Sequence, residues 1–311
     1  MTNQPIIEKK PLVSPAQPKG LLYHYTDQRG LIGILESKTI WATHARYLND
    51  TTEGKIVVEV VRKALQETLG GSPVKDKSMK KLQVNLKEII ANLHMFVTSF
   101  SENGDRLSQW RAYSGRNGGY SIGFRAPYLQ DVGATFLEKN IGWLRPDPKP
   151  LKRCQYRDEN AKHSAAFASQ QGKSGSTNPS VSEDCNPVNE SKVASDAQTK
   201  QFATDLLSLV LELAASLKHK GFEEEEEWRI ALFLKEKTTS VALKFRPGNS
   251  MPVPYLEIDL PPKPWQIGVE EVIVGPCPNP KEAVQSVESL LKSNHFAGVR
   301  VTPSGIPYRN W

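Results

Sequence analysis

The sequence predicts an α+β fold built on a mixed, mostly antiparallel sheet, with helices grouped toward the N-terminal half. Three observations predict it: many short β-branched and aromatic runs, no strict alternation of strand and helix, and helical periodicities concentrated early. Residues 1–20 hold four prolines and little that can pack, so they read as a flexible lead-in. Leu22, Tyr23 and Tyr25 mark a first strand; Thr26 or Asp27 can cap the helix whose apolar face is Leu31, Ile32, Ile34 and Leu35. Lys38 to Thr43 reads as a second strand. Asp50 with Glu53 has capping-box spacing and opens a helix to about Leu69, where Gly70, Gly71 and Pro73 stop it. A further helix is expected from about Ser78 to Leu93. It feeds two buried-strand signals, HMFVTSF and GGYSIGF, joined by a polar segment, Ser101 to Asn117, that Trp110 and Tyr113 mark as structured. From about 158 to 199 the composition turns to Ser, Gln, Asn, Lys and Gly, an insertion that cannot build a core and is expected to be disordered. Helical periodicity returns over Gln201 to Leu217. Strands follow at Trp228 to Leu234, Val241 to Phe245, Tyr255 to Ile258, Glu271 to Val274 and Val299 to Thr302, with a short helix over Ala283 to Leu291. The expectation is one α+β domain over 21–311, interrupted by the insertion.

The chain of 311 residues can enclose a full core, and its net charge of +6 suits a polyanionic partner without demanding one. Cys154, Cys185 and Cys277 are widely spaced without C-x-x-C, which argues against a disulfide framework or a zinc ribbon. No basic head with an apolar run and no membrane-length apolar stretch is present, so a cytoplasmic protein without a membrane partner is expected. Gly172-Lys173-Ser174 mimics the end of a phosphate loop, but Phe167 stands where its first glycine is needed. The histidines lack paired spacing, no metal is predicted, and no Gly-x-Ser-x-Gly elbow occurs.

Five glutamates, Glu223 to Glu227, run into the strand that begins near Trp228. In an extended chain Glu225, Glu227 and Arg229 share one face, and Trp228 and Ile230 the other. Glu227, where loop becomes strand, can sit at a pocket mouth with Arg229 orienting it; the alternative is a solvated acidic turn, favoured for Glu223 and Glu224. His24, at a strand end before a helix start, is either a ligand donor or a satisfied core residue. The segment SFSENGDRLSQWRAY gathers Ser99, Ser101, Glu102, Asp105, Ser108, Trp110, Arg111 and Tyr113, groups able to hold a polar ligand against an aromatic wall. Its bland reading is a turn at Asn103 to Asp105, a helix capped by Ser108, and a packed Trp110.

The segments LYHYTDQRGLIGILESKTIWATHARYLNDTTEG, VTSFSENGDRLSQWRAYSGRNGGYSIGF, GFEEEEEWRI and VIVGPCPN resemble the bacterial family called domain of unknown function 2971, whose name states no activity. More remotely, the order of a strand bearing His, a helix and a second strand resembles the ADP-ribosyltransferase fold of nucleic-acid-modifying toxins. That resemblance implies NAD as substrate. His24, with Tyr23, Thr26 and Ser99, would hold it, Tyr113 or its competitor Tyr120 would stack on nicotinamide, and Glu227 would be the catalytic carboxylate that holds the nicotinamide ribose. Glu225, Arg229, Trp110 and Arg111 would support them. It also implies a toxin or phage-defence role, with nucleic acid or protein as acceptor. Two other classes remain open: a non-catalytic nucleic-acid or partner-binding module using Trp110, Arg111, Arg116 and Tyr120, and a metal-dependent nuclease built from Glu102, Asp105, Glu225 and Glu227.

Overall fold

The computed structural model describes residues 20–48, 56–61, 94–115, 118–139, 143–144, 150–157, 207–234, 243–248, 250–261 and 268–309. The expected lead-in up to residue 19, Asp50 and Glu53, the Ser78 to Leu93 helix, the 158–199 insertion, Arg116 and Trp311 lie outside the described residues.

β1 (Leu21–Thr26) leads through α1 (Gln28–Ser37) into β2 (Thr39–His44). Asp27 caps α1, its Oδ1 accepting from the Gly30 N–H at 2.7 Å. Residues 56–61 are helical. β3 (His94–Ser101) follows, then α2 (Leu107–Tyr113), β4 (Tyr120–Arg125), α3 (Ala126–Lys139), β5 (Trp143–Leu144), β6 (Leu151–Arg153) and β7 (Gln155–Arg157). After a helical stretch over 207–216 come β8 (Leu217–His219), a 3₁₀ turn at Lys220–Glu225, and β9 (Glu227–Leu234). The chain closes with β10 (Lys244–Pro247), β11 (Pro252–Asp259), β12 (Val269–Val274), α4 (Pro280–Ser293) and β13 (Arg300–Pro303).

The main sheet runs β10-β11-β2-β3-β1-β4-β12-β13, with β9 on β3 and β5 and β6 on β9. Every pair in it is antiparallel except β12 with β13, which α4 joins as a crossover; β7 and β8 form a separate parallel pair. β9 pairs with β3 over its whole length, from His94↔Leu234 to Ser101↔Glu227. A strand has two edges, so β1 and β2 share the other one: β2 pairs at Phe96 and Val97, β1 only at Ser101. The sheet therefore forks at Thr98 to Phe100.

The pleat sorts β3 and β9 into two cores. Phe96, Phe100, Trp228, Ile230 and Leu232 enter the larger core with residues of α1, α3 and α4, whereas Met95, Val97, Ala231 and Phe233 meet residues of 56–61 and 207–216 on the opposite face. α4 and 207–216, both expected as helices, come from the second half of the chain and cover opposite faces of the sheet. α3 had no expectation; Pro127 and Gly133 interrupt its pattern, yet Pro127 sits in the first turn, where its missing N–H costs nothing. Ser108 does not cap α2. Arg106 occupies that position without a side-chain cap bond, and Ser108 lies inside the helix.

Phe96 is fully buried beside the fork. Phe96→Ala is expected to lower unfolding free energy by about 3–5 kcal/mol, read as a shift in the denaturant midpoint.

Candidate functional site

The pentaglutamate run forms one 3₁₀ turn and one sharp reversal. Glu226 has φ 45, a left-handed conformation that closes the turn, and its carboxylate pairs with Arg106 at 2.7 Å. That reversal starts β9 at Glu227 and turns its side chain inward. Glu223 and Glu224 remain exposed.

Glu227 is buried and ionised. Arg229 donates from Nε to Oε1 at 2.8 Å and from Nη2 to Oε2 at 3.2 Å, and Lys218 Nζ donates to Oε2 at 2.5 Å. Burial alone would raise its pKa, but the Arg229 and Lys218 cations outweigh that and hold it at about 2. Lys218 also bonds Glu225 Oε2 at 2.5 Å and lies over the Phe222 ring at 4.8 Å. Desolvation pulls the ammonium down, and the carboxylates of Glu227 and Glu225 reverse this and raise it. Burial raises the Glu225 carboxyl, with Lys218 opposing. Tyr156, paired in register with Lys218, accepts the Glu227 N–H on its hydroxyl at 2.7 Å, and Cys154 N–H donates to the Glu227 carbonyl at 2.8 Å. Main chain and side chain of Glu227 are thus both fixed.

Tyr113, at the end of α2, lies close enough to feel the charges of Glu225, Lys218, Glu227 and Arg229; burial first, then Glu225, pushes its phenol up to about 12. It is more than one-third exposed, so it forms the solvent side of the cluster. The structure therefore gathers Tyr113, Glu225, Glu227 and Arg229. Glu227 and Arg229 do face away from Trp228 and Ile230, which lie in the larger core. Tyr120 packs against that same core instead.

His24 is not brought to the same face. Tyr23, Ser101 and Glu227 are in register across three strands, so alternation turns His24 the other way, and its ring sits 5.8 Å from Phe100 on the larger-core face. Its Nδ1 bonds the Ser99 carbonyl at 3.0 Å, filling the ladder position that β1 leaves open at the fork. Burial lowers its pKa, partly offset by that carbonyl, so the neutral ring donates from Nδ1 and keeps Nε2 as an acceptor. A ligand touching His24 and Glu227 together would have to span the fork.

Several other candidates have structural partners. Tyr23 packs against Gly104 and Gly123, where a Cβ would come within 2.4 and 2.9 Å of its ring, and its hydroxyl donates to Glu271 at 2.9 Å. Thr26 lies against the first turn of α1, where a Cβ on Gly30 would collide with its Oγ1. Ser99 stands opposite Arg229 and gives its carbonyl to His24. Trp110 is not an exposed contact residue: it is buried and donates Nε1–H to Asp105 at 2.7 Å, and Arg111 lies over Tyr308 at 5.2 Å. Trp110 therefore offers no exposed ring to a base, while Arg111 is exposed. The nuclease grouping also fails to assemble. Asp105 takes Trp110, Ser304 and the Gly305 N–H, and Glu102 takes Trp228 and Arg153. Among the described residues no group of three or more His, Cys, Asp or Glu gathers around a common point.

Sequence reasoning missed Lys218 and Tyr156. A signal existed for Lys218, since a lysine ending an apolar helical pattern and followed by five acids can be buried only beside one of them. Nothing in Gln155-Tyr156-Arg157 pointed to the hydroxyl.

These features define an α+β protein with a buried, charge-compensated acid at the start of a central strand. Residues 109–230, which run from α2 through Lys218, Glu225, Glu227 and Arg229, match the model of the family described as "Protein of unknown function (DUF2971)", so the family resemblance is shown over that stretch. No curated protein and no solved structure matches the chain. Among the described residues no helix is long and apolar enough to cross a membrane.

Lys218→Met leaves two carboxylates without their shared cation and is expected to cost about 3–5 kcal/mol in chemical denaturation. The depressed pKa of Glu227 makes its contribution complete above its ordinary value of 4.5 and lost as pH falls toward about 2, a total on the order of 3 kcal/mol. Glu225, shifted upward, opposes part of this. Denaturant midpoints measured from about pH 7 down to about pH 3 should fall more steeply for the natural chain than for Glu227→Gln.

Proposed function

We propose that the chain is an NAD-consuming enzyme of the ADP-ribosyltransferase type, with Glu227 as the catalytic carboxylate and Tyr113 as the nicotinamide-facing ring. The observation that carries this reading is a buried glutamate kept ionised at the first residue of a central strand, beside a partly exposed tyrosine. Cleaving the glycosidic bond releases neutral nicotinamide with the bonding electron pair and leaves an oxocarbenium-like ribose, so a fixed anion nearby lowers the barrier. A carboxylate offers about four acceptor positions. Lys218 and the two Arg229 donors take three, with both donors to Oε2 accounted for, leaving Oε1 a position for a ribose hydroxyl.

Lys218 and Arg229 have two effects in this reading. They keep Glu227 charged at any working pH, and they reduce the field it can offer to a developing cation. Glu225, whose carboxyl is shifted upward, shares Lys218 and thereby moderates its pull on Glu227. His24, turned to the larger-core face with Nδ1 on the Ser99 carbonyl, stands outside this reading, which rests on Glu227 and Tyr113. Capture of the ribose by water or by an acceptor nucleophile, which releases its proton to solvent water, completes hydrolysis or transfer. The toxin or phage-defence setting implied by the resemblance belongs to this same reading.

Nicotinamide release from NAD by the full chain tests it. Glu227→Gln is expected to lower turnover by roughly 10² to 10³ while a thermal melt stays cooperative. NAD consumption equal to that of the natural chain would remove Glu227 from the chemistry, and no consumption by either would remove the enzyme reading.

A further inference from the structure

We propose that Arg106 is a positioning residue for Glu227: it holds the sharp reversal at Glu226 from which β9 starts and ties that reversal to α2. This deepens the catalytic reading above and rests on it only for the effect on turnover.

Glu226 is a costly residue at that bend. Its φ of 45 lies in the left-handed region, where a Cβ crowds the neighbouring carbonyl and glycine or asparagine is the usual occupant. Neither stands here, so the conformation has to be held from outside. Its N–H bonds the Glu223 carbonyl at 3.2 Å, its carbonyl accepts the Glu102 N–H at 3.1 Å, and its carboxylate accepts from Arg106 Nη2 at 2.7 Å. Arg106 Nη1 donates to the Glu224 carbonyl of the same turn. One guanidinium thus grips the main chain before the bend and the side chain at it, a two-point hold that the single ammonium of a lysine does not reproduce.

Arg106 is itself fixed. Its N–H donates to the Tyr25 hydroxyl at 3.0 Å, and its carbonyl accepts the Trp110 N–H at 3.0 Å in the first turn of α2. The helix that carries Tyr113 and the turn that delivers Glu227 therefore meet in one side chain. A partly exposed ion pair contributes little by itself, and this one matters for its place. Tyr156 and Cys154 pin Glu227 along one edge of β9; Glu102 and Arg106 pin the residue before it along the other. Held on both edges, the strand end cannot twist about its axis, and the Glu227 carboxylate stays on Lys218 and Arg229. Without Arg106 the bend relaxes toward the extended region, and Glu227 loses part of its hold on the two cations that keep it ionised.

Carboxyl carbon NMR of the full chain, labelled at glutamate Cδ, tests the proposal, with Glu227 assigned by the signal that Glu227→Gln removes. In the natural chain Glu227 should stay ionised from about pH 7 down to about pH 3, as its pKa of about 2 requires. In Arg106→Gln it should take up its proton at least about one pH unit higher, a tenfold weaker hold on the ionised form. Adding Glu226→Gly, which adopts the left-handed conformation unaided, should return the titration to its natural position. For nicotinamide release, Arg106→Gln should lower kcat about tenfold with the KM for NAD little changed, and the added Glu226→Gly should restore it. The proposal is overturned if Arg106→Gln leaves the Glu227 titration unchanged, whatever it does to stability, or if Glu226→Gly does not rescue it. A shifted and rescued titration in a chain that consumes no NAD supports the positioning role and removes the catalytic reading alone. Should Arg106→Gln not fold, Arg106→Lys decides: it must give a smaller shift of the same sign, and no shift overturns the proposal.

Discussion

One strand has to serve three. β3 gives a complete edge to β9, and β1 and β2 divide what is left, so the sheet opens where neither can reach. Backbone groups at such an opening still need partners, and His24 supplies one by donating to the Ser99 carbonyl. The same division places α1 between two diverging strands, with Leu31, Ile34 and Leu35 buried in the larger core below them. The fork, the imidazole that fills it and the helix that covers it are consequences of one shared edge.

On the other face the dominating constraint is electrical. Glu227 is too deeply placed to remain charged alone, and two cations with further hydrogen bonds are what make its ionised form tolerable. Buried ion clusters of this kind rarely repay their desolvation in stability, since apolar replacements often do as well. A buried ion cluster beside a partly exposed tyrosine is compatible with the catalytic role proposed for Glu227. Contrast Glu271, which is also buried but is bound by Tyr23 and Arg300 at a position where strands simply pack.

How much of this could be read beforehand differs element by element. Strands β1, β3, β4 and β9 were legible because each is a short apolar run whose alternation survives on both faces, and Glu227 was legible because it stands where that alternation begins. α3 was hidden by Pro127 and Gly133, and β6 and β7 are three-residue strands below the length at which a pattern exists. His24 illustrates a different limit. Its position in the chain was read well enough, but the side of the sheet it faces depends on how β1 registers with β3, a long-range fact that no local pattern carries. Trp110 failed as a surface candidate for a related reason: Asp105 and the Ser304–Gly305 segment, almost two hundred residues away, close around it.

The parallel pairing of β7 with β8 has a consequence for how this chain can diverge. Tyr156 and Lys218 meet across that pair, so two of the three side chains that fix Glu227 sit at the exit and the re-entry of a long excursion. Closing a loop costs only about 0.6 kcal/mol more each time its length doubles. The excursion is therefore a place where sequence can be gained, lost or exchanged while Glu227 stays anchored by the pair that bounds it, and new binding specificity can be grafted there without rebuilding the centre.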